Sequence, residues 1–283
     1  MTAPSTKPVW FITGCSTGFG RELASHLLQE GYRVVVTARR LEQVDEWAAR
    51  YPQQALALAL DVSEAEQVKA AVSAAESHFG QIDVLVNNAG IGYFGALEES
   101  DEAEVRRMFE INVWGLAAMT RAVLPGMRKR RAGSIVNLSS VGGLVALPAL
   151  SFYNASKFAV EALSESLAQE VAPLGIRVLL IEPGPFRTDW AGRSAGQRAT
   201  VLDDYAATAG ARLDTIRGYS GQQPGDPKRA AVAIVNTVEA PTAPLRLLLG
   251  QAAVNSARSK LRKVLDDIDT WEAVSIAADF PKA

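Results

Sequence analysis

The stretch that decides the fold is the glycine-rich segment Thr13-Gly14-Cys15-Ser16-Thr17-Gly18-Phe19-Gly20. An apolar run from Val9 to Ile12 precedes it and predicts a buried strand, and a stripe of leucines after it predicts an amphipathic helix that ends near Gly31. Glycines allow a tight turn and let the backbone approach a bound group without a Cβ in the way. The N–H groups and partial positive charge of a helix N-terminus suit a phosphate. The segment therefore predicts a phosphate-binding loop.

The spacing in this loop is Gly-x-x-x-Gly-x-Gly, which differs from the Gly-x-Gly-x-x-Gly of the general dinucleotide fingerprint. A plain tight turn is the alternative interpretation. The position of the loop between a strand and a helix favours a dinucleotide, with Ser16 and Thr17 as additional hydroxyl donors. We interpret Cys15 as a small packing residue, because the chain has no second cysteine to resolve an oxidised thiol.

Strands and helices alternate through most of the 283 residues. Further strands are predicted at Arg33 to Thr37, Ala55 to Leu60, Val84 to Asn87, Ser134 to Leu138, Arg177 to Ile181 and Leu245 to Leu249. Helices are predicted at Leu41 to Arg50, Glu64 to Phe79, Val105 to Arg130, Ser151 to Val171 and Asp226 to Val238. The continuous apolar strands indicate a parallel sheet buried on both faces. We predict an α/β, doubly wound, Rossmann-like sheet of about seven strands with helices on both faces, as a single domain.

Two segments depart from this alternation within the single dinucleotide-binding and catalytic domain, which we assign to residues 1–283. Residues 185–225 are weakly periodic and rich in Gly, Arg, Ala and Asp, which favours a substrate-binding loop or lid. Residues 254–283 predict a C-terminal helical extension of one or two helices.

Composition excludes several classes of function. The 29 basic and 31 acidic residues give a net charge of −2, which supplies no electrostatic reason to bind nucleic acid or an anionic membrane. Cys15 is the only cysteine, and His26 and His78 lie far apart in helical patterns, so we expect no metal site. The sequence shows neither an apolar run long enough to span a membrane nor the pattern of a signal sequence. We therefore expect a cytoplasmic protein.

The end of the second predicted strand distinguishes the two nicotinamide cofactors. An acidic residue there would hydrogen-bond the ribose 2′-hydroxyl of NAD, whereas an arginine would pair with the 2′-phosphate of NADP. The chain has Ala38-Arg39-Arg40, which favours NADP(H) and leaves NAD(H) possible; both arginines as plain surface charges are the alternative. Asp61 and Val62 follow the third strand, where the carboxylate can accept from the adenine amine or cap its own loop.

A tyrosine and a lysine carry the predicted chemistry. Tyr153 and Lys157 are four residues apart in a helix and share one face, so the ammonium is expected to lower the pKa of the phenol. Such a tyrosine can give a proton to a ketone oxygen or take it back in the reverse reaction. Ser140 leaves the preceding strand and can hold the same oxygen, with Ser139 as its rival.

With these motifs, the sequence resembles the short-chain dehydrogenase/reductase superfamily from Val9 to about Thr188. The loop at residues 13–20 fits the family's cofactor loop, although Thr17 stands where many NADP-preferring relatives carry a basic residue. Ser140 is preferred over Ser139 because its spacing of thirteen residues to Tyr153 matches the family. The other matching segments are Asn87-Asn88-Ala89-Gly90, Ile111-Asn112-Val113 and Pro183-Gly184 with Thr188.

The resemblance implies roles for these positions. Tyr153, Ser140, Lys157 and Asn112 would be catalytic, with Asn112 holding a water that links Lys157 to solvent, and Tyr153 and Lys157 would also contact the cofactor. Further cofactor contacts are implied for Asn88, Ala89, Gly90, Pro183, Gly184, Phe186 and Thr188. A homodimer or homotetramer is also implied, with the helices at 105–130 and 151–171 at the interface.

The substrate pocket would be apolar or aromatic, lined by Tyr93, Phe94, Leu144, Val145, Phe186 and Trp190. The activity expected is reduction of a ketone or aldehyde, or oxidation of a secondary alcohol. Two alternatives stay open: a non-catalytic NADP-binding sensor or scaffold, and an isomerase or lyase acting on a sugar nucleotide. The second would usually need a larger substrate domain than the segment after Gly184 provides.

Overall fold

The computed structural model describes residues 7–191, 195–198 and 200–280, and within them nine strands form two parallel sheets. In chain order the strands are β1 (Val9–Ile12), β2 (Arg33–Ala38), β3 (Ala55–Ala59), β4 (Val84–Asn87), β5 (Gly92–Phe94), β6 (Gly133–Leu138), β7 (Ile176–Pro183), β8 (Ala195–Gln197) and β9 (Arg246–Leu249). The larger sheet has the order β3-β2-β1-β4-β6-β7-β9, and β5 pairs with β8. The predicted Rossmann-like fold is confirmed, and the strand order reverses between β1 and β4, where such sheets bind ligands.

The helices confirm the predicted alternation, with differences at their boundaries. They are α1 (Gly18–Gln29), α2 (Asp45–Arg50), α3 (Ala65–Phe79), α4 (Glu102–Phe109), α5 (Leu116–Arg130), α6 (Ser151–Val171), α7 (Ala211–Gly218), α8 (Pro227–Glu239) and α9 (Gln251–Ile276). The helix expected at Leu41 to Arg50 is divided into a 3₁₀ turn and α2, because Val44 leaves helical geometry to bury its side chain. Among the described helices, none is long and apolar enough to cross a membrane.

The single helix expected from Val105 to Arg130 consists of α4, a π-helical turn at Glu110–Gly115, and α5. A π turn inserts one extra residue into the helical repeat and often occurs at functional sites. Ile111, Asn112 and Val113 are consecutive residues in this turn, and all three are buried. In this widened turn three consecutive side chains are buried, and one of them is the polar side chain of Asn112.

Alternate residues of the central strands enter cores on opposite faces of the sheet. Trp10 and Ile12 of β1 pack with α1 and α8, whereas Phe11 packs with α3 and α5, and each of the three side chains is fully buried. Because both faces of the sheet are covered by helices, both sets of alternating residues must be apolar. This explains the unbroken apolar runs in the sequence.

A chain of buried amides links the sheet to the helices that carry the site. Asn87 Nδ2 donates to Asn137 Oδ1 at 2.9 Å and to Thr120 Oγ1 at 3.0 Å, and Asn137 Nδ2 donates to Ser164 Oγ at 2.8 Å. Buried polar groups are costly unless they are hydrogen-bonded, so these bonds favour one placement of α5 and α6 against β4 and β6.

The segment predicted as a loop or lid is partly regular. Residues 185–225 contain β8, a π turn and α7, although positions 192–194 and 199 of the segment lie outside the described residues. Arg198 anchors it through hydrogen bonds of 2.9 and 3.0 Å to the two carboxylate oxygens of Glu99, whose side chain is fully buried. A bridge between Phe186 and Gly225 ties the two ends of the segment together.

A charged cluster attaches the edge strand β9 to its neighbours. Arg246 Nε lies 3.1 Å from Glu161 Oε2 on α6 and 3.3 Å from Glu182 Oε1 on β7, and its guanidinium also pairs with the exposed Glu165. Glu182 is completely buried, and neither carboxylate oxygen accepts a hydrogen bond from the residues that the structure describes. Burial, followed by repulsion from Glu161, raises the pKa of Glu182 above its ordinary value.

We expect replacement of Glu182 by Gln to reduce the pH dependence of stability. Above the ordinary glutamate pKa of about 4.3 the unfolded chain releases this proton, while the native state keeps it up to its raised pKa. Stability therefore falls as the pH rises through that window, and Glu182→Gln removes this contribution. Urea denaturation at pH 5 and pH 8 should show a smaller loss for the variant than for the wild type. Glu165→Gln removes an exposed partner of Arg246 and should retain the wild-type loss; equal losses in all three proteins would contradict the prediction.

Candidate active site

The glycine-rich loop has the backbone geometry expected from its sequence. Gly14 and Gly18 adopt φ angles of 72° and 59°, which disfavour residues with a Cβ. A Cβ at Gly20 would collide with the carbonyl oxygen of Gly14 and the amide of Asn88. Glycine at position 20 is therefore required for the close approach of α1 to the loop and to the end of β4.

Two polar side chains attach this loop to the segment after β4. Asn88 Nδ2 donates to the carbonyl oxygens of Thr13 and Gly14, both at 2.8 Å. Thr13 Oγ1 accepts from the backbone N–H groups of Asn88 at 3.0 Å and Ala89 at 2.9 Å. In this structure Thr13 and Asn88 thus hold the two loops together, and Asn88 also lines the adjacent cavity.

A cavity of about 1200 Å³ lies over the carboxyl ends of the strands. Its walls bring together most residues proposed from the sequence as cofactor contacts: Gly14, Ser16, Thr17, Phe19, Arg39, Asp61, Val62, Asn88, Ala89, Gly90, Tyr153, Lys157, Pro183, Gly184, Phe186 and Thr188. Thr13, Gly18, Gly20 and Arg40 are outside this lining, although a Cβ on Gly18 would lie 3.6 Å from Thr188. The volume is larger than that of most small-molecule sites and is sufficient for an extended ligand.

The two arginines after β2 differ in their position. Both side chains are exposed, but only Arg39 reaches the cavity wall. Among the described ion pairs, none involves Arg39, so its guanidinium is available to an anionic ligand. Asp61 also lines the cavity while its Oδ1 accepts from the backbone N–H of Ser63 at 3.0 Å and from its hydroxyl at 2.6 Å. The loop-capping interpretation of Asp61 is thereby observed, and the residue also lines the cavity.

Tyr153 and Ser140 meet at the inner wall of the cavity. Tyr153 is 7% exposed, and a Cβ on Gly142 would lie 3.3 Å from Ser140 Oγ and 3.4 Å from Tyr153 Cε1, so the two side chains are neighbours. Burial raises the pKa of Tyr153 to about 12, and the Ser140 hydroxyl lowers it only in part. The neighbouring Ser139 is buried, and its hydroxyl has no hydrogen-bond partner among the described residues. The structure thus places Ser140, rather than Ser139, against the tyrosine.

Lys157 lies behind Tyr153, one helical turn along α6. Its Nζ donates to the carbonyl oxygen of Leu138 at 2.7 Å and lies 5.9 Å from the centre of the Tyr153 ring. Burial lowers the pKa of Lys157 to about 8, while the negative charge of Glu161 opposes this effect. In this structure the pKa of Tyr153 is raised on balance, because burial of the phenol has the largest effect, and the expected lowering by Lys157 stays a prediction.

Asn112 joins the π turn to the segment after β4. Its Oδ1 accepts from the backbone N–H of Ile91 at 2.9 Å, and its Nδ2 donates to Ile91 O at 2.9 Å and to Ser156 Oγ at 3.1 Å. A Cβ on Gly90 would lie 3.2 Å from Asn112 Oδ1 and 3.8 Å from Lys157 Nζ. Asn112 therefore lies next to the lysine, beneath the cavity surface and outside its lining.

The segment after β7 closes over the phosphate loop. Phe186 packs against Phe19 with ring centres 5.1 Å apart. Gly184 allows α9 to approach, because a Cβ there would lie 3.2 Å from the backbone nitrogen of Ala253. Thr188 approaches Gly18 and thereby connects the lid with the loop below it.

The apolar end of the cavity differs from the pocket proposed from the sequence. Trp190 lines it and packs 4.9 Å from Tyr153 and 5.0 Å from Phe94, as measured between ring centres. Tyr93, Phe94, Leu144 and Val145 are outside the lining, and the first two support it from the core beneath. Sequence reasoning missed the lining residues Leu147, Leu150, Arg212, Thr215, Ile216 and Tyr219. Three of these residues, Arg212, Thr215 and Ile216, belong to α7. No sequence pattern indicated them, because the periodicity of residues 185–225 is weak and only folding brings α7 to the cavity.

Comparisons with known proteins agree with this architecture. The family model described as short chain dehydrogenase matches residues 8–199. Oxidoreductase BOA17 of Botryotinia fuckeliana is 39% identical over 95% of this chain and 98% of its own length. The 3-ketodihydrosphingosine reductase of Bacteroides thetaiotaomicron is 38% identical over 84% of this chain and 86% of its own. Human retinol dehydrogenase 8 is 37% identical, with 83% of this chain and 79% of the relative covered.

Solved structures show the same likeness. A short-chain dehydrogenase from Streptomyces avermitilis superposes with a TM-score of 0.90 at 42% identity, covering 96% of this chain and all of the other. A Burkholderia phymatum short chain dehydrogenase/reductase in complex with NAD has a TM-score of 0.79 at 26% identity over 89% and 92% of the two chains. An alcohol dehydrogenase from Thermococcus sibiricus complexed with 5-hydroxy-NADP has a TM-score of 0.71 at 26% identity over 86% and 96%. With its parallel sheet, its loop and its buried tyrosine and lysine, the chain belongs to the short chain dehydrogenase family.

Proposed function

We propose that this protein is an NADP(H)-preferring oxidoreductase that interconverts an apolar ketone or aldehyde and the corresponding alcohol, with Tyr153 as the acid and base. The observation that carries the proposal is the position of Tyr153 in the cavity wall, beside Ser140 and one helical turn from the buried Lys157. The three groups converge where the phosphate loop and the apolar end of the cavity meet.

The protein's own residues supply the proton and the orientation. NADPH, when bound, supplies the hydride to the carbonyl carbon. Tyr153 is protonated at neutral pH, since the ordinary tyrosine pKa of about 10 lies above neutrality and burial raises it further, so it can give its phenolic proton to the carbonyl oxygen as that oxygen becomes negative. Ser140 can donate a hydrogen bond to the same oxygen, and the Lys157 ammonium is positioned to stabilise the phenolate that remains. In the oxidation direction, the phenolate takes the proton from the alcohol.

Arg39 supports the preference for NADP(H). Its guanidinium reaches the cavity, is unpaired among the described ion pairs, and can bind a phosphate through two charge-assisted hydrogen bonds. NAD(H) is the alternative, because Thr17 supplies no second positive charge in the loop. Two of the solved structures compared above were complexed with NAD and with 5-hydroxy-NADP, respectively.

The apolar end of the cavity supports an apolar or aromatic substrate. Trp190, Leu147, Leu150 and Ile216 present mostly hydrocarbon surface near Tyr153, which favours a substrate with little polarity beyond its reacting carbonyl. Two relatives are named for long, apolar substrates, 3-ketodihydrosphingosine and retinol. We propose the same substrate class here, without a single named compound.

The family resemblance implies self-association through α5 and α6. In support, Trp114 of the π turn and Phe158 and Leu163 of α6 are exposed by 60%, 43% and 43%. Apolar side chains of this size on adjacent helices are more typical of a buried contact than of a free surface. We propose that the protein forms at least a homodimer.

Tyr153→Phe tests the catalytic assignment. The variant keeps the ring and its packing but has no proton to give, and we expect kcat for ketone reduction to fall by about 100-fold or more. The dissociation constant for NADPH should stay within a few-fold of the wild-type value. Tyr219→Phe makes the same change elsewhere in the cavity lining and should preserve kcat. Normal turnover by Tyr153→Phe would remove the proposed acid, and binding of NADPH without turnover by the wild type across a panel of apolar carbonyls would favour the sensor alternative.

Arg39→Asp tests the cofactor preference. Loss of a charge-assisted phosphate contact should weaken NADPH binding by about 10-fold or more. The new carboxylate can accept from the ribose hydroxyls of NADH, so NADH affinity should be retained or improved. Fluorescence titration with each cofactor measures both constants. Arg40→Asp makes the identical charge change one residue away, outside the cavity lining, and should leave the ratio unchanged. An unchanged ratio in Arg39→Asp would exclude Arg39 as the phosphate contact.

A further inference from the structure

The C-terminal helix α9 leaves the body of the protein after its first two turns. Ala253 and Ala257 are buried, and Ala253 packs beneath Gly184 at the active site. Every described residue from Arg258 to Phe280 is exposed. At 1.5 Å per residue, the helical part of this exposed stretch is about 28 Å long. Nearly three quarters of a well-formed helix therefore extends away from the rest of the described chain.

The exposed part carries an apolar stripe. Leu261, Val264, Ile268 and Trp271 follow Ala257 at alternating intervals of four and three residues, and they are exposed by 55%, 36%, 56% and 61%. This spacing is the 3.5-residue repeat of a two-helix coiled coil. The stripe also continues the side of the helix that is buried where α9 contacts the body. Its apolar surface thus has the pattern of a helix–helix contact and no second helix among the described residues.

The charges along the same stretch are separated by sign. Arg258, Lys260, Arg262 and Lys263 form a basic half, which is followed by an acidic half of Asp266, Asp267, Asp269 and Glu272. This order opposes the helix dipole, which favours acids toward the N-terminus and bases toward the C-terminus. Within the helix Lys263 pairs with Asp267 at 3.6 Å, but the helix dipole does not favour the overall order of the charges, whereas a partner of opposite polarity fits it.

We propose that α9 pairs in an antiparallel manner with α9 of a second copy of this chain. A two-fold axis at Asp266 would place Leu261 opposite Trp271 of the partner subunit and Val264 opposite Ile268 of the partner subunit, so the two apolar stripes meet. The same arrangement sets Arg258 beside Glu272 of the partner subunit, and Lys260 toward Asp267 of the partner subunit, so each basic half faces an acidic half. A parallel pair would instead align like charges. An anionic membrane surface would repel the acidic half of the helix.

The apolar contact is tested by Leu261→Asp/Ile268→Asp. Both side chains are exposed in the single chain, so the variant should fold and keep its activity, while its self-association weakens by about 100-fold or more. Sedimentation equilibrium over a range of protein concentrations should show half the wild-type mass for the variant. Leu97→Asp/Val232→Asp changes two other exposed apolar residues and should keep the wild-type mass. A wild-type monomer, or an unchanged mass in the α9 variant, would overturn the proposal.

The antiparallel direction is tested by a charge swap. Arg258→Glu/Lys260→Glu makes the positions that flank the stripe acidic in both halves of the helix and should weaken association. Adding Asp267→Lys/Glu272→Lys exchanges the flanking charges and should restore the wild-type mass, because opposite charges face each other again. Failure of the four-residue variant to recover would overturn the antiparallel arrangement. Co-sedimentation of a monomeric wild type with vesicles of phosphatidylcholine and phosphatidylserine would assign the helix to a membrane surface instead.

Discussion

The parallel pairing of the central strands is the constraint on which the rest of this structure depends. Parallel neighbours cannot be joined by tight hairpins, so each connection crosses back through a helix or a long loop, and both faces of the sheet become buried. All carboxyl ends then point to one edge. The loop after β1, Arg39 after β2, Asp61 after β3, Asn88 after β4 and Ser140 after β6 reach a single cavity for this reason.

Within that cavity, burial determines the protonation of the groups proposed to react. The same desolvation that raises the pKa of Tyr153 lowers that of Lys157, since each shift disfavours a charge in a poorly solvated site. Glu161 opposes the shift of the lysine and also raises the pKa of Glu182. The cluster that attaches β9 is therefore electrostatically connected to Lys157 through Glu161 on α6.

The α9 helix relates the site to the proposed assembly. Its first turns pack under Gly184, next to the segment that closes over the phosphate loop, and its remaining turns carry the apolar stripe. Residues that fix the floor of the cavity and residues proposed to bind a second copy thus belong to one continuous helix. The lid is held separately, by the buried carboxylate of Glu99.

The sequence by itself determined the strand and helix alternation, the glycine loop, and the tyrosine, lysine and serine of the proposed site, because each depends on local periodicity or on fixed spacing. It also determined the arginines after β2, but not that Arg39 faces the cavity while Arg40 does not. Only the tertiary structure decided the π turn at Asn112, the α7 contribution to the lining and the net pKa of Tyr153. Those features depend on burial and on contacts between residues far apart in the chain, which local patterns do not encode.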